Sequence, residues 1–222
     1  MIKALTWFSR TPGMSTEEFL TYWRGEHPKA VLRMPGLVAY NQNPVSGIGS
    51  RGGERFCDGV AETWWESREA VRAHRDTPEL AALMADEDRF INPVGRQTLL
   101  VDEVVITDGN PKPDAIKQFT WLKRRPDLTA TEAQTYWRDQ HGPLAATVPG
   151  MVRYVQNHVI ADHYRNDREP SFDGVPIAYM DDLDAARQAG RSDELAATRA
   201  DEANFLNGDP LPWVMTTEIK IL

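Results

Sequence analysis

His27 and His141 share one local setting: each stands three residues after a Tyr-Trp-Arg triplet, Tyr22-Trp23-Arg24 and Tyr136-Trp137-Arg138. The ordinary pKa of histidine lies close to neutrality, so either ring could act as a general acid or base. On a helix, Trp23 and His27 are one turn apart, as are Trp137 and His141, which places both pairs on the face that packs inward. At a helix end the macrodipole favours a protonated ring. A core histidine donating a hydrogen bond to a neighbouring strand has the same sequence appearance.

Glu62 is the other residue suited to proton chemistry. It shares a strand face with Val60 and Trp64, and its counterpart in a second copy of the segment is Ile177. A position that accepts isoleucine is expected to be buried. Desolvation would raise a carboxylate's pKa there, and a nearby imidazolium would lower it. The structural alternative is a strand carboxylate reaching an arginine such as Arg24. Tyr22, Tyr40 and Asn43, with Tyr136, Tyr154 and Asn157, offer hydroxyls and amides that could orient a carbonyl or phenol. Trp7, Trp23, Trp64 and Trp65 read as core first and pocket wall second. Arg51 and Arg55 could meet an acidic substrate or be solvated loop charges.

Other chemistries find little support. Five histidines without His-x-His or His-x-x-x-His spacing, and one cysteine, argue against a metal site. No Gly-x-Gly-x-x-Gly opens a helix after a strand, and nothing favours Cys57 as a nucleophile. A single histidine could ligate haem, which stays open as a minor reading.

These residues are positioned by a repeat. Residues 3–43 return as 117–157 at a constant offset, with about seventeen identities in some forty positions. Beyond an intervening loop the offset rises by one: Asp58-Gly59-Val60 returns as Asp173-Gly174-Val175, and Asp86-Glu87 with Phe90 as Asp201-Glu202 with Phe205. Each copy reads alike. In the first, Ile2 to Phe8 is a strand, and Ser15 with Glu18 is a capping box that opens a helix, as is Thr129 with Glu132 in the second. Pro35-Gly36 turns into a strand over Leu37 to Gln42. A glycine-rich loop with Gly47, Gly49, Gly52 and Gly53 follows, then a strand from Val60 to Trp65. Ser67 and Thr77-Pro78-Glu79 cap two short helices, and Thr98 to Ile106 closes the copy. The order β-α-β-β-α-β is the ferredoxin-like arrangement, which predicts α+β modules over 1–109 and 114–222. The turn-rich linker Thr107 to Pro113 is short enough that the modules should touch, and each sheet needs a cover on its helix-free face.

The chain has 222 residues, 41% of them hydrophobic and 26% charged, with a net charge of −8, the balance of a globular protein. The negative charge argues against nucleic acid or anionic membranes as partners. One cysteine and no apolar run long enough for a signal or membrane span point to the cytoplasm.

Together, the Tyr-Trp pair before a histidine, the Pro-Gly, the Tyr-x-Gln-Asn strand, the Asp-Gly-Val strand start and the Asp-Glu-x-x-Phe helix end resemble the EthD family, named for ethyl tert-butyl ether degradation. The pattern occurs twice. The resemblance implies the dimeric α/β-barrel superfamily, with one chain supplying both ferredoxin-like modules as a pseudo-dimer, as a monomer or a homodimer. It implies a hydrophobic or aromatic small-molecule ligand. The expected activity is a cofactor-independent lyase or isomerase using histidine acid–base catalysis, with His27, Glu62 and His141 as catalytic candidates. Tyr22, Trp23, Tyr40, Asn43, Trp65, Tyr136, Tyr154 and Asn157 are the candidate binding residues. The alternatives are a non-catalytic accessory module serving an oxygenase and a haem- or oxygen-dependent enzyme. Because Glu62 becomes Ile177, chemistry is expected mainly in the first copy. The competing expectation is a second pocket built on His158, Asp162 or His163.

Overall fold

Both capping boxes form. Ser15 and Thr129 accept the backbone N–H of Glu18 and Glu132, and each glutamate reaches back to its cap. The computed structural model describes residues 1–46, 55–208 and 211–222; the loop glycines 47, 49, 52 and 53 and Arg51 lie outside them. The chain divides into two units. The first comprises Met1–Val45, Arg55–Leu100 and Ile219–Leu222, and the second is built on Val101–Glu218.

In the first unit the elements are β1 (Ile2–Phe8), α1 (Thr16–Gly25), α2 (Pro28–Val31), β2 (Leu37–Pro44), β3 (Gly59–Trp65), α3 (Arg68–Ala73), α4 (Pro78–Glu87) and the first residues of β4 (Gln97–Asp108). Strand β3 pairs antiparallel with both β1 and β2, Leu5 and Asn41 lying opposite Glu62. The sheet order is β4-β1-β3-β2, with the short strand Ile219–Lys220 against β2. The sequence pattern anticipates these elements apart from the short α2; β2 runs two residues further, through Pro44, because Asn43 and Pro44 still pair with Val60 and Gly59.

The second unit repeats the plan with β5 (Ile116–Thr120), α5 (Ala130–Tyr136), α6 (Gly142–Ala145), β6 (Met151–Val159), β7 (Gly174–Met180), α7 (Leu183–Ala189), α8 (Asp193–Asp201) and β8 (Trp213–Thr217). Its order is β8-β5-β7-β6, with Val101 onward of β4 against β6. Both units are therefore β-α-β-β-α-β ferredoxin-like modules. The Pro-Gly turns need glycine: Gly36 and Gly150 have φ of +72° and +78°, a region closed to most side chains.

Side chains alternate across each sheet. Toward the helices, Phe8 packs with Phe19, Trp23, Phe90 and Ile91 in the first unit. Leu122, Trp137 and Phe205 form the matching cluster in the second. Each buried aromatic removes roughly 150–250 Å² from water, worth up to about 4–6 kcal/mol. Among the described residues no helix is long and apolar enough to cross a membrane.

Candidate active site

The six-membered ring of the Trp137 indole comes up against Gly174, where an added Cβ would stand 2.4 Å from it; Trp23 meets Gly59 in the same way, at 2.6 Å. This explains the glycine of each Asp-Gly-Val start. The preceding aspartate is also committed: Asp173 pairs with Arg124 at 2.6 Å, and Asp58 with Arg10. With the indole fixed, Trp137 Nε1 donates to Tyr154 Oη at 3.2 Å, and Gln156 Nε2 donates to the Trp137 carbonyl at 2.8 Å. The first unit repeats both bonds, Trp23 to Tyr40 at 3.2 Å and Gln42 to the Trp23 carbonyl at 2.6 Å.

One turn on, the backbone widens. Trp137–His141 is a π-helical turn, and the Gly142 N–H bonds to the Trp137 carbonyl. In the first unit the His27 N–H reaches the Tyr22 carbonyl, also five residues back. Such turns recur where a helix must re-aim a side chain. His141 and His27 meet the C-terminal ends of α8 and α4, each 4.9 Å from the ring of Phe205 or Phe90. There His141 Nδ1 lies 2.9 Å from Asp201 Oδ2, and Tyr136 Oη donates to Asp201 Oδ1 at 2.7 Å. His27 Nδ1 lies 2.7 Å from Asp86 Oδ2, with Tyr22 Oη donating to Asp86 Oδ1 at 2.6 Å. The Tyr-Trp pair, the histidine and the Asp-Glu-x-x-Phe aspartate thus meet in one Tyr–Asp–His network in each unit.

Both histidines are buried. Burial lowers their pKa from the usual 6.5, against the opposing pull of Asp86 or Asp201. The macrodipole argument for a protonated ring therefore fails, because desolvation outweighs it. Burial raises the Asp201 carboxyl, but hydrogen bonds from Tyr136, His141 and Asn204 together hold it below its usual value. A carboxylate can only accept, so His141 donates through Nδ1 and keeps a lone pair on Nε2. Among the described residues Nε2 has no hydrogen-bond partner.

In the second unit this ring opens onto a cavity of about 590 Å³ between sheet and helices. Trp137, His141 and Tyr154 supply one side; Leu122, Leu211 and Trp213 supply apolar wall, and Arg199 and Glu202 add charge. At matching positions the first unit carries Phe8, packed edge-on at 5.1 Å from Trp23, and Arg96, paired with Glu87 at 2.7 Å.

The expected site residues separate into groups. His27, Tyr22, Trp23 and Tyr40 come together, as do His141, Tyr136 and Tyr154. Glu62 does not reach His27: it is fully buried on the opposite sheet face, 2.7 Å from Lys3 Nζ and 3.0 Å from Asn43 Nδ2. Asn43 and Asn157 also donate to the strand carbonyls of Val60 and Val175. Trp65 packs edge-on against His74 at 4.9 Å. His158 packs tilted against Trp137, ring centres 4.4 Å apart, and burial lowers its pKa to about 4. His163 and Asp162 are not among the cavity residues, and burial raises the Cys57 thiol far above its usual range. Asp86 and Asp201 went unassigned in the sequence, although the repeated Asp-Glu-x-x-Phe was the signal for them. Among the described residues no group of three or more His, Cys, Asp or Glu is gathered where it could hold a metal ion.

A model of the EthD domain matches the chain twice, over residues 11–93 and 125–209. No curated protein matches it in sequence. Among solved structures, an anthrone oxidase-like protein is similar with a TM-score of 0.67 at 15% identity, covering 99% of this chain and 92% of that one. A mutant chlorite dismutase from Candidatus Nitrospira defluvii gives 0.59 at 12% identity, covering 97% and 90%. A protein from Lactobacillus acidophilus, provisionally described as a monooxygenase, gives 0.58 at 8% identity, covering 98% and 93%. At these identities the likeness is one of fold. With the domain model matched over both copies and its motif residues accounted for in each unit, the chain belongs to the EthD family.

Proposed function

We propose that the second unit transfers protons on a hydrophobic, aromatic or carbonyl-bearing small molecule, as a cofactor-independent lyase or isomerase. The observation that carries this reading is His141 in the cavity wall, buried, with Nδ1 held by Asp201 and Nε2 left as a base. A lowered pKa keeps that ring neutral at pH 7, the form a general base needs. His141 would take a proton from carbon next to a carbonyl, and the bonding pair would pass to the oxygen as an enolate. Returning the proton to another carbon shifts a double bond; giving it to a departing β-hydroxyl completes a dehydration. The apolar wall of Leu122, Leu211 and Trp213 suits a hydrophobic ligand. Asp201 and Tyr136 are positioning residues: they fix the tautomer and the ring plane.

The test is proton exchange of bicyclic ketones in D₂O, followed by NMR. His141→Gln should slow exchange by about 10²–10⁴-fold, the usual contribution of a positioned base. A larger loss in His27→Gln would move the chemistry to the first unit. Absence of exchange with wild-type protein across the ketone series would sink the reading.

The same imidazole favours one second reading. A histidine whose Nδ1 is held by a carboxylate is suited to ligate a haem iron, and His141 would be the residue that holds it. Haem would supply oxygen or peroxide chemistry. A Soret band in protein purified with haem supplied, lost in His141→Ala, would favour it.

A further inference from the structure

The proton-transfer reading leaves open which residue receives the ligand's oxygen, and the inference here rests on that reading. Tyr154 is 4% exposed and lines the cavity together with His141. Its oxygen accepts the Trp137 N–H at 3.2 Å, so that bond does not use the tyrosine's own proton. Among the described residues that proton has no acceptor. A phenol that accepts from N–H still has one O–H to give, and leaving a buried donor unmet costs about 1–3 kcal/mol. His141 presents the complement, an Nε2 lone pair without a donor. One cavity therefore holds an open donor and an open acceptor on adjoining network residues.

We propose that Tyr154 is a catalytic residue whose hydroxyl donates a hydrogen bond to the ligand's oxygen, and that the substrates are hydrophobic enolisable ketones bound at both ends of the enol. The C–H proton goes to His141 Nε2, and its electron pair forms the C=C bond. The carbonyl π pair moves to oxygen, where the Tyr154 O–H receives the charge. On collapse the pair returns to carbon, which takes the proton back from His141, and no oxidant or reductant enters. Tyr154 keeps its own proton throughout: burial pushes its phenol up to about 12, against the hydrogen bonds from Trp137 and Gln156. The rival account is purely structural, with Tyr154 present only to hold the indole.

The probes are 2-naphthol, which has the form of a bicyclic enol, and naphthalene, which matches its shape without oxygen. Binding is measured by calorimetry on the full chain. Tyr154→Phe should weaken naphthol by about tenfold, the loss of one hydrogen bond, and leave naphthalene within about twofold. Incorporating 3-fluorotyrosine at position 154, a stronger donor on the same ring, should tighten naphthol and leave naphthalene unmoved. Equal naphthol affinity in wild type and Tyr154→Phe, or equal losses for both probes, overturns the role of Tyr154 and leaves His141 as base standing. If wild-type protein binds neither probe, the proposal falls together with the cavity reading beneath it.

Discussion

Replacing Gly174 by alanine tests the joint on which the second unit's network is built. The new Cβ would lie 2.4 Å from Trp137 Cζ3, 2.9 Å from Cη2 and 3.3 Å from the Asn157 carbonyl oxygen. Carbon atoms in contact sit about 3.5–4.0 Å apart, so the indole must move by about 1 Å. It has little room, with the His158 ring packed at 4.4 Å and Nε1 bonded to Tyr154 at 3.2 Å. Overpacking of this kind costs about 1–3 kcal/mol. For a chain of 222 residues each kcal/mol shifts Tm by about 2–4 °C, so the melting temperature should fall by roughly 2–12 °C. Naphthol binding should weaken as well, because the displaced indole releases Tyr154. Gly25→Ala is the control: nothing lies within 4 Å of its Cβ, and it sits at the end of α1. Helix propensity there favours alanine by up to about 1 kcal/mol. Differential scanning calorimetry decides. If Gly174→Ala melts within about 1 °C of wild type, glycine at this position has no packing reason and the account of the motif is wrong.

Asp201→Asn should cut ketone exchange by about 10²–10⁴-fold while preserving naphthalene binding, because an amide oxygen or amine at that place no longer fixes the His141 tautomer; isotope exchange and calorimetry read the two effects. Exchange should rise with pH and level off, with an apparent pKa below 6.5, since burial depresses His141. The linkage has the same sign: His27 and His141 bind protons more readily unfolded, so their contribution to stability is present above 6.5 and is lost as pH falls through their lower folded values, visible in urea melts. Glu62→Gln should destabilise the fold by about 3–5 kcal/mol, because it strips the carboxylate from Lys3, whose side chain is 2% exposed. An unchanged urea midpoint would contradict the buried ion pair.

Much of the architecture was legible because it is local. The repeat set the element order twice over, and capping boxes at Ser15 and Thr129 declared their helices through contacts three residues apart. Pro-Gly declared its turns through the positive φ that only glycine takes easily. Placing Trp23 and His27, and Trp137 and His141, on one inward face needed only the helical period. Tertiary structure decided the partners. His27 meets Asp86 across 59 residues and His141 meets Asp201 across 60, a juxtaposition that no periodicity encodes. Glu62 was rightly expected to be buried, but its charge is met by Lys3 from the neighbouring strand, on the face away from His27. The cavity was the least legible feature. It depends on the volumes that several elements leave unfilled, among them Leu122 and Leu211 where the first copy has Phe8 and Arg96. Sequence registers each substitution singly; only packing sums them into space beside a base.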